Sequence, residues 1–344
     1  MELSPRKKII LSEIVKAHIA HGEPVGSKFL CEATNLGISS ATIRNEMSEL
    51  SEMGYLEQPH TSAGRVPTAA GYRMYVTGLL DKNTPSEPIK ASIDKALEKV
   101  ALDPEHITAT AGQVLSDLTG FTTVAMTIPE ASAFIKRIEL LPMGKRMALL
   151  VLVTSDGIAR SRICRTGDNL STSAIRAFDR IAAVDIVGTE LNAFNGVFLQ
   201  TLAAKMGDFS LILMPLITTL FEMIESICHS QLDLKGESNL YSVYNKDIDA
   251  RRIVEFISRR DAILSILSEI PDPVSVVFGD DSGIDVLKPS SMVVAKFGSE
   301  QNEVGRIGVI GPTRMAYEDL IPSISYFAKQ LGKVLEQSIR DLDD

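Results

Sequence analysis

Residues 39–68 read SSATIRNEMSELSEMGYLEQPHTSAGRVPT. Few architectures accept this order of signals. Two serines and then a periodic run predict a helix from Ala41 to about Met53, capped by Ser39 or Ser40 and stopped by Gly54. Ile43, Met47 and Leu50 form its apolar stripe. Ala41, Asn45, Ser48 and Glu52 lie opposite, with Thr42 and Arg44 on the flanks. YLEQ and RVPT then read as two short strands around a glycine-containing turn. Pro59 and Pro67 limit how far they can pair. The chain must therefore place a polar-faced helix beside a very short hairpin.

What precedes fits the same unit. Residues 5–21 predict a helix with Ser4 as cap, Pro5 at its first position and Gly22 at its end. Ser27 can cap a second helix over Lys28–Thr34, and Thr68 a fourth from Ala69. Three helices and a hairpin are the order of the winged helix-turn-helix. In that fold the third helix enters a DNA major groove and shows small or hydrogen-bonding side chains to base edges. Ser40, Thr42, Arg44, Asn45 and Ser48 qualify. Arg44 and Asn45 are the candidates for base contacts, and Ser40 and Thr42 for phosphate or base contacts. Arg6, Lys7 and Lys8 cluster on the first helix, with Lys28 on the second, and suit the DNA backbone. In the hairpin, His60, Thr61, Ser62 and Arg65 form the tip and the charge at its base.

Taken as a sum, the net charge of −9 opposes nucleic-acid binding. Its distribution does not. Residues 1–75 hold eight basic and eight acidic side chains, so the negative excess lies wholly beyond them. A neutral head holds DNA through a few well-placed cations rather than through bulk charge.

The remainder is a different kind of sequence. Residues 81–88, DKNTPSEP, have linker composition. Residues 89–118 are expected to be helical. Strand character follows at 121–128, 134–143, 146–153 and 157–165, helix over 168–235 and again over 247–269. Strands return in PVSVVFG, SMVVAKF and VGRIGVIG, and a helix from about Ala316 to Asp341 ends the chain. This pattern predicts an α+β domain split by a helical insertion. The apolar run SLILMPLITTLF at 210–221 is too short to span a bilayer and contains Pro215. It reads as a buried helix or a subunit contact, and no membrane association is expected. Cys31, Cys164 and Cys228 are too scattered for a disulfide framework or a metal site. With no secretory signal at the start, they read as thiols in a reducing cytoplasm.

Other candidate sites are weaker. His60 and Ser62 could suggest catalysis, but a Ser-His pair needs an orienting acid and an oxyanion site, and a hairpin tip offers neither. Gly305, Gly308 and Gly311 give GxxGxxG, which is not the dinucleotide fingerprint. GDDSG at 279–283 reads as a polar turn rather than a cation site. His18 and His21, three apart near a helix end, suit a surface or cap role better than metal. No enzyme activity, cofactor or metal is expected.

Four stretches carry a family resemblance: PVGSKFL, SSATIRNEMSEL, GYLEQPHTSAGRVPTAAGYRMYV and, near the far end, GRIGVIGPTRMAY. The first three are almost continuous over residues 24–76, and the last covers 305–317. Together they resemble HrcA, the bacterial heat-inducible transcription repressor family. The resemblance implies an N-terminal winged helix-turn-helix and a GAF-like α+β domain with an inserted helical dimerisation domain. On this sequence that layout gives a DNA-binding domain at 1–80 and a linker with connecting helix at 81–103. The GAF-like domain takes 104–167 and 240–344, and the insertion 168–239. It also implies a homodimer on double-stranded DNA at an inverted-repeat operator, the CIRCE element, with the chaperonin GroEL keeping the repressor active. The runner-up reading is a transcription regulator that senses a metabolite through its GAF-like domain.

Overall fold

A computed structural model gives the fold and describes residues 3–34, 37–61, 63–80, 84–101, 107–130, 132–243, 250–270, 273–282, 284–298 and 303–341. The first unit comprises α1 (Pro5–His21), α2 (Ser27–Ala33), α3 (Ser40–Glu52), β1 (Leu56–Glu57), β2 (Val66–Pro67) and α4 (Ala69–Thr77). Local chemistry sets the boundaries. The side chains of Ser4, Ser39 and Thr68 accept from the backbone N–H of Lys7, Thr42 and Gly71. These bonds satisfy donors that a helix start otherwise leaves open. Ser27 is not a cap. It is the first helical residue of α2, and its hydroxyl meets that of Ser40 at 2.9 Å, tying α2 to α3. The hairpin pairs Leu56 with Pro67 and Glu57 with Val66, as short as the two prolines require. Ile10, Ile14, Leu30, Ile43 and Leu50 are fully buried between the three helices.

Beyond it, α5 (Glu87–Ala101) and α6 (Ile107–Thr119) lead into a five-stranded antiparallel sheet. Its strands are β3 (Thr122–Thr127), β7 (Gln231–Lys235), β8 (Val274–Phe278), β9 (Ser290–Gly298) and β10 (Glu303–Pro312), in spatial order β7-β3-β10-β9-β8. Both faces are covered. Ala125, Val293, Ala295, Ile307 and Val309 share a core with α5, α6 and the final helix, α13 (Tyr317–Asp341). Val124, Met126, Met292, Val294 and Ile310 face α10 (Asn239–Val243), α11 (Ala250–Ile257) and α12 (Arg260–Ser268). Two-sided burial explains the apolar runs of β8, β9 and the second half of β10. It also explains Gly308, since a Cβ there would sit 2.2 Å from the Val293 carbonyl oxygen.

Between β3 and β7 the chain builds a second, three-stranded sheet: β4 (Ile135–Gly144), β5 (Met147–Thr154) and β6 (Ala159–Arg165), in order β4-β5-β6. Its helices are α7 (Thr172–Ile181), α8 (Gly196–Met206) and α9 (Ser210–Cys228). Leu150 and Leu152 of β5 pack with Leu202, Leu213, Leu216 and Leu220 in one core. The expected breaks at 168 and 239 therefore cut through a unit. Strands β4–β6 share their core with the helices, and the chain leaves the five-stranded sheet after Thr127 and rejoins it at Gln231. A strand announces itself in sequence, but the sheet it joins does not. The two sheets differ in burial: β5 alternates buried and half-exposed residues, whereas β3 is buried almost throughout.

The N-terminal unit is docked on the five-stranded sheet. Tyr72 of α4 has ring centroids 6.3 Å from both Phe278 and Tyr317, and its hydroxyl lies 2.8 Å from Nδ1 of His18. Lys16 reaches Glu318 at 2.9 Å. His18, expected as a surface or cap residue, is instead half-buried here. Burial, with Arg314 adding to it, holds its imidazole down at about 4.

Candidate nucleic-acid interface

Helix α3 presents two chemically distinct faces. Ile43, Glu46, Met47 and Leu50 are buried, at the spacing of an inward helical stripe. Arg44 and Asn45 are exposed, and among the described residues no bond engages either side chain. Ser48, half-exposed, stands one turn on from Arg44. Thr42 turns its hydroxyl to Ser39 at 3.0 Å, and Ser40 turns its own to Ser27. These two expected contacts are partly committed to holding the start of α3.

The basic residues divide more sharply. Arg6 pairs with Glu46, and Lys7 reaches Glu46 at 3.2 Å and Glu49 at 2.8 Å. Pairing with Glu49 and then Glu46 raises the Lys7 ammonium above its usual range, and pairing with Lys7 lowers the Glu49 carboxyl. Two of the three α1 cations expected on phosphate are thus tied to the helix they were to flank. Lys8 also has an interaction within the protein. Lys28 is exposed on α2.

The hairpin tip is built by a residue the sequence reading passed over. The Gln58 side-chain amide donates to the carbonyls of Thr61 and Ala63, each at 3.0 Å, and closes the turn. Its position just before Pro59 and the turn was the available signal. His60 and Thr61 are exposed at the tip, while Ser62 lies outside the described residues. Arg65 exchanges two backbone hydrogen bonds of 2.9 Å with Val25, fixing the hairpin against the loop before α2. Gly64 permits this approach: a Cβ would lie 2.3 Å from the Val25 carbonyl oxygen. The Nε of Arg65 donates to Ser51 of α3 at 3.0 Å. The hairpin base is therefore bolted to the helix beside it. Arg44 and Asn45 on α3, and His60 and Thr61 on the hairpin fixed to it, are exposed, and Arg65 is half-buried where hairpin and helix join.

A family model described as the HrcA protein C terminal domain matches residues 105–321, more than half the chain. The chain belongs to the HrcA family. Relatives extend the match through the N-terminal unit. The heat-inducible transcription repressor HrcA of Clostridium tetani is 32% identical over 98% of this chain and 97% of its own length. That of Desulforudis audaxviator is 31% identical over 99% and 100%. A crystal structure described only as that of a hypothetical protein matches with a TM-score of 0.66 at 23% identity, over 98% of this chain and 100% of that one. It supports the fold alone. The HrcA family membership inferred from the four sequence stretches thus holds over nearly the whole chain.

Proposed function

We propose that this chain is a transcriptional repressor of heat-shock genes that works in the cytoplasm as a homodimer on double-stranded DNA. The reading rests on one observation above the others. The outward face of α3 carries an arginine and an asparagine with no partner among the described residues, beside a hairpin whose base is bolted to the same helix. In this reading residues 1–80 are a winged helix-turn-helix. α3 enters a major groove, Arg44 and Asn45 meet base edges, and the hairpin tip lies along the backbone. The five-stranded sheet with its helices is the GAF-like domain. The three-stranded sheet with α7–α9 is, in the same reading, the inserted dimerisation domain, running from about residue 128 to about residue 230.

The dimer contact is assigned to the inserted unit. Leu211 is 69% exposed, with Met214 and Pro215 lining the surface beside it, and Val184 and Val197 of the same unit are 72% and 73% exposed. Burial of these apolar side chains would favour association. A two-fold dimer then requires an inverted-repeat operator, which the family resemblance identifies as CIRCE. Heating releases the protein, and the chaperonin GroEL supports the active form.

The test is a gel shift with the full chain, a CIRCE-bearing duplex and a scrambled duplex, below and above heat-shock temperature, with and without GroEL. Selective binding at the lower temperature, lost on heating and strengthened by GroEL, supports the proposal. Equal binding to both duplexes refutes it.

A further inference from the structure

Glu46 is in an unusual place. It occupies the inward stripe of α3 with Ile43, Met47 and Leu50, and is only 4% exposed. An apolar side chain would serve that position for packing alone. Instead a carboxylate sits there, and both its ion-pair partners come from the first turn of α1, which is Arg6 on Oε1 and Lys7 on Oε2 at 3.2 Å. Oε2 has no hydrogen bond among the described residues, so its compensation is the Lys7 charge. Lys7 is itself held a second time, by Glu49 one turn further along α3 at 2.8 Å.

We propose that Glu46, with Arg6 and Lys7, is a brace that fixes the roll of the recognition helix. Glu46 is thus a positioning residue for DNA recognition, and the basic first turn of α1 serves α3 before it serves phosphate. The inference rests on the reading of α3 as the DNA-contacting helix.

The geometry explains the need. Apolar contacts are non-directional and leave a helix free to roll by small amounts about its axis. Two cations of α1 set against the two oxygens of one carboxylate oppose that roll, because turning α3 separates at least one of the charge pairs. A roll of 20° carries an atom about 5 Å from the axis through roughly 2 Å, more than a bidentate base contact tolerates. Arg44 and Asn45 project from the turn next to Glu46, so the brace acts at the height where sequence is read. Lys7 cannot move to a phosphate without leaving a buried carboxylate short of a partner, which opposes such a move.

Glu46→Gln keeps the shape and removes the charge, and two explanations of Glu46 then predict opposite results. If Glu46 only repels DNA, the variant binds every duplex more tightly. If it is a brace, operator affinity falls by about five- to tenfold, the range of one positioned contact, while affinity for random duplex is unchanged or rises. Glu49→Gln is the companion: its carboxylate is exposed, so its loss should tighten both duplexes modestly. Lys7→Met should weaken operator binding without lowering the salt slope, whereas loss of a phosphate contact lowers it by about one. Full-length protein is titrated with CIRCE-bearing and scrambled duplexes across a salt series, with urea midpoints recorded in parallel. Parallel tightening in Glu46→Gln, or a slope reduced by one in Lys7→Met, overturns the brace. A wild-type chain that holds both duplexes alike overturns the reading beneath it.

Discussion

The N-terminal unit has an open side and a closed side, and they are built from opposite materials. On the open side Arg44, Asn45, His60 and Thr61 are exposed, and the first two have no side-chain partner among the described residues. On the closed side Tyr72 lies within ring contact of His18, Phe278 and Tyr317, and Lys16 pairs with Glu318. The closed side is made by the end of α1 and by α4, neither of which carries the candidate reading residues. Docking on the body therefore leaves the α3 face in solvent. The side that is satisfied within the chain gives stability, and the side that is not is where a partner must be sought.

Truncating the closed side should have the largest effect. Tyr72→Ala removes a ring that is 3% exposed at the junction of two units. A loss of about 3–5 kcal/mol is expected, measured as a fall in the urea midpoint. Tyr72→Phe keeps the ring and loses only the bond to His18, costing about 1 kcal/mol. A near-zero cost for Tyr72→Ala would mean that the head does not rest on the sheet in solution.

The open side should respond in binding and not in stability. Arg44→Ala is expected to lose about 1–3 kcal/mol on the operator and to blur discrimination against scrambled duplex, with its urea midpoint unchanged. Equal losses on both duplexes would reassign Arg44 to phosphate. Arg65 stands on the border between the two sides. Its Nε is anchored on Ser51 and its backbone on Val25, which leaves the far end of the guanidinium for DNA. Arg65→Ala should lower the salt slope of binding by about one. An unchanged slope would make Arg65 a structural bolt only.

The two sides also differed in how far sequence alone exposed them. The open side was readable because its signals are local: serine caps, Gly54, two prolines and a helical stripe all act within a few residues. The closed side rests on contacts between residues about 300 positions apart, such as Lys16 with Glu318, and no local periodicity carries these. The same limit moved the insertion boundaries, because strand character at 134–165 does not say which sheet receives it. Nor did local signals show that Arg6 and Lys7, read as a cluster suited to the DNA backbone, are paired within the chain. Their partners, Glu46 and Glu49, were visible as residues, but only the packing of α1 across α3 brings them together.

The smallest expected effect is on pH, and it separates the two sides without any loss of volume. His18 titrates near 4 in the folded chain, against about 6.5 for an unperturbed imidazole. Burial is the main cause and Arg314 the second, while Lys16 and Glu13 of α1 and Glu318 of α13 flank the same contact. Between these values the unfolded chain binds a proton that the docked head does not. Stability is therefore full above about pH 6.5, falls as pH drops from 6.5 towards 4, and loses nothing further below that. Since the imidazole is only half-buried, solvent screening keeps the effect modest. Lowering pH from 7 to 5 should reduce the wild-type urea midpoint, and His18→Gln should flatten that dependence. Operator discrimination by Arg44 should not follow His18, because His18 lies at the contact with Tyr72 and not on the exposed face of α3. If His18→Gln tracks the wild type across the whole range, the closed side does not exclude the proton, and the contrast between the two sides of the head loses its electrostatic part.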